Sequence, residues 1–136
     1  MKRLSLFLIL CFLGMNIHAQ PNIDRVTLLQ ILAQPEKYHE KEVQIIGYLH
    51  LEFEGNGLYL HKEDFDNSIL GNMIWINSTK EMIKNLDKLN DKYVIIRGLF
   101  DAKNHGHMGL FSGALSEITR CEVWSDPRKP IREKLK

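Results

Sequence analysis

Residues 78–89 read STKEMIKNLDKL, and where they fall among the strands decides the fold. Ser78 with Glu81 three positions on is the pattern of a capping box, in which both side chains satisfy N–H groups at a helix start. Met82, Ile83, Leu86 and Leu89 then make one apolar stripe at helical spacing. This predicts a helix over residues 79–89. Asn77-Ser78-Thr79 is also a glycosylation sequon, but the cap accounts for the same residues. On both sides the pattern changes. Met73 to Asn77 reads as a short strand, Asn90-Asp91-Lys92 as a turn, and Tyr93 to Ala102 as a long strand broken by Gly98.

Towards the N-terminus, Val43 to Phe53 alternates. Val43, Ile45, Gly47, Leu49, Leu51 and Phe53 share one face, while Gln44, Tyr48, His50 and Glu52 share the other, with Ile46 the exception. A period of two marks a half-buried strand. Gly47 in its middle suggests a bend or bulge. Glu54-Gly55-Asn56-Gly57 supplies a hairpin turn, and Leu58 to Lys62 returns. Glu63 to Gly71 is polar and irregular. Upstream, Val26 to Gln34 reads as a helix with Thr27 and Gln30 as its capping box, Val26 and Ile31 at staple positions, and Pro35 ending it. Towards the C-terminus, Ala114 to Trp124 makes a fifth strand, and residues 126–136 form a basic tail.

The order is therefore helix, three strands, helix, two strands. A helix between the third and fourth of five strands is the order of the OB-fold, a five-stranded Greek-key barrel. The expected class is mainly β, an OB-fold-like barrel with an N-terminal helix and a helix between strands 3 and 4. An SH3-like barrel lacks that second helix. The mid-strand glycines suit the coiling that closes a small barrel. The chain also resembles small uncharacterised exported bacterial OB-fold proteins of the tRNA-anticodon-like group. The similar stretches are LLQILAQPEKYHEKEVQIIGYL (28–49), NDKYVIIRGLFDA (90–102), and HGHMGLFSG followed by ITR. That resemblance implies the fold and export, and implies no assigned activity.

The N-terminal residues lead to an expectation about destination. Lys2 and Arg3 precede the apolar run LSLFLILCFLG (4–14), and Ile17-His18-Ala19 precedes Gln20. This is the layout of a secretory signal peptide cut after Ala19, and the run is too short to span a bilayer. The domains are then 1–19 as leader, 20–125 as barrel and 126–136 as tail, in a periplasmic or secreted protein with no stable membrane anchor. Cys11 lies inside the apolar run, away from a lipidation position. Only Cys121 remains after cleavage, which excludes a disulfide framework.

OB-folds bind with the outer face of strands 2–3 and the loops joining strands 1–2 and 4–5. The residues expected there are Tyr48, His50, Tyr59, His61, Trp75 and Arg97, with His105 and His107 from the 4–5 loop KNHGHMGLFSG (103–113). Such side chains stack and hydrogen-bond, which suits a saccharide, peptide or protein partner. The alternative is a divalent metal on His105 and His107, which in an extended segment would face one way. No other cofactor is called for, and zinc takes three or four ligands. Nucleic acid is disfavoured, because residues 20–125 carry 11 basic against 15 acidic groups. No nucleophile motif is present, so a non-catalytic binding module is expected. Structurally, Met108, Leu110 and Phe111 are expected to fold back and plug the barrel, which would make Phe111 the residue that stability depends on rather than His105.

Overall fold

A computed structural model describes residues 23–125; the leader expected over 1–19 and the tail expected over 126–136 lie outside them. The described residues form six strands: β1 (Asp24–Arg25), β2 (Lys41–His50), β3 (Gly57–Tyr59), β4 (Met73–Ile76), β5 (Lys92–Asp101) and β6 (Ala114–Val123). Five short helices join them: α1 (Leu28–Ala33), α2 (Pro35–Tyr38), α3 (Lys62–Asp66), α4 (Lys80–Lys84) and α5 (Leu86–Leu89). The sheet order is β1-β2-β3-β4-β6-β5, and β5 pairs back onto β2. Strands β2 to β6 thus close into a five-stranded OB-fold-like barrel, with β1 added in parallel at the outside of β2. No helix among the described residues is long and apolar enough to cross a membrane.

The barrel's spine is the β2–β5 ladder, in register from Lys41 opposite Phe100 to Leu49 opposite Lys92. Val43, Ile45 and Leu49 of β2 face inward with Val94, Ile96 and Phe100 of β5, as the alternation requires. Leu58, Ile74, Ile76 and Leu115 complete the lining. Helices α1 and α2 add Leu28, Ile31 and Tyr38, and α4 and α5 add Met82 and Leu89, to the same core. Each such side chain, taken fully from water, is worth about 1.5–3 kcal/mol.

The two mid-strand glycines have different causes. At Gly98 the β5–β6 register shifts, and a Cβ would stand 2.4 Å from the Ser116 carbonyl oxygen. This is the bulge that coils β5. Gly47 carries no bulge, since its register with β5 is unbroken. It is needed for close approach, because a Cβ there would lie 2.9 Å from the Tyr59 carbonyl oxygen.

Five expectations about the elements are corrected. The first strand stops at His50 rather than Phe53, because the Leu51 N–H donates to Asn90 Oδ1 at 2.7 Å and the chain then turns. Phe53, expected on the core face, is 92% exposed. The helix after the third strand is capped by Thr79, whose Oγ1 accepts from the Met82 N–H at 3.2 Å, while Ser78 is taken up by Asn56 Nδ2. That helix is also broken in two at Asn85, whose side chain donates to the Glu81 carbonyl at 3.0 Å. Finally, the segment read as irregular contains α3. Its Asp64 is 6% exposed and accepts from the His61 N–H at 2.9 Å and from Asn72 Nδ2 at 2.7 Å. The Thr27–Gln30 capping box forms as expected, with Thr27 N–H to Gln30 Oε1 at 2.8 Å and Gln30 N–H to Thr27 Oγ1 at 3.2 Å.

Candidate functional site

The outward sides of β2, β3 and β4 carry a second apolar cluster, made of Tyr48, Tyr59, Met73 and Phe111. Tyr48 and Tyr59 are opposite each other across the β2–β3 ladder, so their rings share one face. Phe65 of α3 lies over both, with ring centroids 5.8 Å from Tyr48 and 5.3 Å from Tyr59. The tyrosines are consequently only 4% and 7% exposed. Burial is the main cause that raises both phenol pKa values, aided by Asp91 at Tyr48 and by Glu52 at Tyr59. The stacking platform expected to meet a ligand is covered by the chain's own helix.

His50 is tied down rather than poised. Its Nδ1 lies 2.7 Å from Asp91 Oδ1, and its ring stacks on Phe65 at 4.2 Å. The Asp91 N–H donates to the Leu49 carbonyl at 2.9 Å, and Asn90 holds Leu51. These bonds stitch the α5–β5 turn to the end of β2. His50 Nε2 reaches Glu52 at 3.6 Å. His61 begins α3 on the other side and is exposed. Arg97 stands on the outer face of β5, where its Nη2 donates to Gln44 Oε1 at 2.9 Å. It does not join the aromatic cluster.

The β5–β6 loop is a compact turn, not an extended segment. Gly106 adopts φ +63, which bends the chain between the two histidines, and Met108 adopts φ +57 just after them. Asn104 Oδ1 accepts from the Gly106 N–H at 3.0 Å. His105 Nδ1 is 2.8 Å from the Phe111 carbonyl. A carbonyl only accepts, so Nδ1 carries the proton and donates. His107 turns the other way in the loop's short helical turn, 6.5 Å from the Trp75 ring and 3.7 Å from Glu54 Oε2. Among the described residues no group of three or more His, Cys, Asp or Glu side chains is placed to hold a metal ion.

Of the three residues expected to plug the barrel, only Phe111 is buried. It packs on Trp75 at 5.2 Å, outside the barrel wall. Met108 and Leu110 are 78% and 54% exposed. Their exposure follows from the positive φ at Met108, which turns the loop's crest outward. The β2–β3 loop meets the same place, since His107 and Glu54 touch and Phe53 precedes Glu54. So the two loops that an OB-fold uses meet at the His107–Glu54 contact, and each bears an exposed apolar side chain next to it in the chain, Met108 and Phe53. Phe53, Glu54, Phe65 and Asp91 escaped the sequence reading. An alternation that placed Phe53 inward hid it, and α3 had only Phe65 to announce its apolar side.

Fold and site together define an OB-fold-like barrel with a self-covered aromatic face and a two-loop apolar rim. No protein-family model matches this chain, and no curated protein matches it.

Proposed function

We propose that this protein is an exported, non-catalytic OB-fold binding module that holds a protein or peptide partner across its paired loops, residues 51–56 and 104–112. The observation that carries the reading is that Phe53 and Met108, both exposed, are the chain neighbours of Glu54 and His107, which contact each other, with Leu110 exposed two residues further on. Exposed apolar side chains gathered at one place mark an interaction surface. A saccharide or a base stacking on the β2–β3 platform would need Tyr48 and Tyr59 free, and Phe65 packs against both rings. Glu52 and Glu54 rim the patch, so the partner presents donors or positive charge around an apolar centre. Export rests on the leader-like N-terminus and on the resemblance to small exported OB-fold proteins.

The test is photo-crosslinking in the producing cell, with the reactive group placed at Phe53, at Met108 and, as control, at Leu29 of α1, an exposed apolar residue outside both loops. One defined adduct from the two loop positions and none from Leu29 is expected. Equal adducts from all three positions, or none from the loops, would overturn the reading. Amino-terminal sequencing of the same material is expected to begin at Gln20, and a chain that begins at Met1 would remove the export part.

A further inference from the structure

On another part of the barrel wall, positive charge gathers that the loop surface does not use. Arg25 of β1, Gln44 of β2 and Arg97 of β5 stand in register across three strands, and Arg120 of β6 stands opposite Arg97. Gln44 Oε1 accepts from Arg97 Nη2 at 2.9 Å and from Arg120 Nη1 at 3.4 Å. Glu122 pairs with Arg120 at 2.7 Å. Glu42, next along this face, bonds Thr119. Among the described residues no carboxylate is within ion-pair distance of Arg25 or Arg97. Arg97 Nε is buried and has no partner. A half-buried guanidinium held by a single neutral acceptor leaves this face with positive potential, felt at the neighbouring Gln44 and Arg25.

Beside this row runs an open groove of about 650 Å³. Arg25 and Gln44 line it, and Ile46, Ile95, Tyr93 and Trp124 give it an apolar floor and wall. Ile46 was the residue that broke the alternation of β2; it is 39% exposed and lies in the groove. An apolar cleft of this size with a few polar groups at one edge is the usual form of a small-ligand site.

We propose that the groove binds a small amphiphilic carboxylate. Its carboxylate sits against Arg25 and the Gln44 amide, with the charge of Arg97 behind them, and its apolar body lies over Ile46 and Ile95 against Trp124. Charge complementarity selects this ligand. Three arginines flanked by Glu42 and Glu122 leave an excess of one positive charge, which suits a single carboxylate better than a dianion or a cation. This site is independent of the loop surface and stands or falls without it.

The test is titration with decanoate and with decanol, a neutral molecule of equal length, below micelle-forming concentrations. Binding is followed by calorimetry and by Trp fluorescence in Trp75→Phe and Trp124→Phe variants. Decanoate is expected to bind saturably and about tenfold more tightly than decanol, as one charge-assisted contact requires. Arg25→Gln, at an exposed position, is expected to bring decanoate down to the decanol level. Ile46→Ser is expected to weaken both. The fluorescence change is expected to survive Trp75→Phe and vanish in Trp124→Phe. Equal affinity for decanol, an unchanged Arg25→Gln variant, or a response carried by Trp75 would overturn the proposal.

Discussion

Phe111 shows how one side chain sets a loop. It is 8% exposed and joins Tyr48, Tyr59 and Met73 on the outside of the barrel. Phe111→Ala is expected to cost about 3–5 kcal/mol in urea unfolding, from lost transfer energy and the cavity. His105→Ala loses one hydrogen bond, from Nδ1 to the Phe111 carbonyl, and is expected to cost only about 1 kcal/mol. If the two variants melted alike, the packing account of this loop would fail. Cys121 is the other informative residue. Burial, with Glu122 second, pushes its thiol up to about 11. The thiol is protonated at neutral pH, so iodoacetamide at pH 8 is expected to label the native protein far more slowly than the urea-unfolded chain. The folded state keeps this proton when the unfolded chain, near about 8.5, has lost it. Its contribution is therefore complete below about pH 8.5 and is lost as pH rises towards about 11. Cys121→Ala is expected to flatten the fall in unfolding free energy over that window.

Among the elements, the α4–α5 segment separates pattern from geometry. Both Ser78 and Thr79 are able caps by type; Thr79, with extended backbone, accepts from the Met82 N–H, while the Ser78 hydroxyl is taken up by Asn56. Thr79→Ala is expected to lower stability by about 1 kcal/mol, and Ser78→Ala by clearly less, in paired thermal melts. Helix α3 is five residues long, and its register comes from Asp64 and its neighbours rather than from periodicity. Such a helix is too short to be stable alone. It exists because Phe65 finds Tyr48, His50 and Tyr59 already arrayed on β2 and β3.

For the whole molecule, closure depends on β5, which pairs with β2 on one side and β6 on the other. Amide exchange is expected to be slowest in β2 and β5, between Val43 and Leu49 and between Val94 and Phe100. Three-residue β3 is expected to exchange earlier. Gly98→Ala sets a methyl against the Ser116 carbonyl and is expected to destabilise strongly, by more than about 2 kcal/mol. Uniform exchange rates across the strands, or a Gly98→Ala variant as stable as the parent, would mean the barrel is not closed by this bulge.

Strand periodicity, the mid-strand glycines and the Thr27 cap were legible because each is a local rule that a few adjacent residues satisfy together. From them the order of elements, and hence the barrel, could be read. The fate of Tyr48 and Tyr59 was not legible. Alternation says which face a side chain is on, and says nothing of what comes to lie on that face. The cover over the tyrosines, the turning apart of His105 and His107, the emergence of Phe53 and the row of arginines on β1, β5 and β6 around Gln44 of β2 all arise from residues far apart in the chain. Those contacts exist only once the strands have paired in register, so tertiary structure alone decided which side chains the surface would offer.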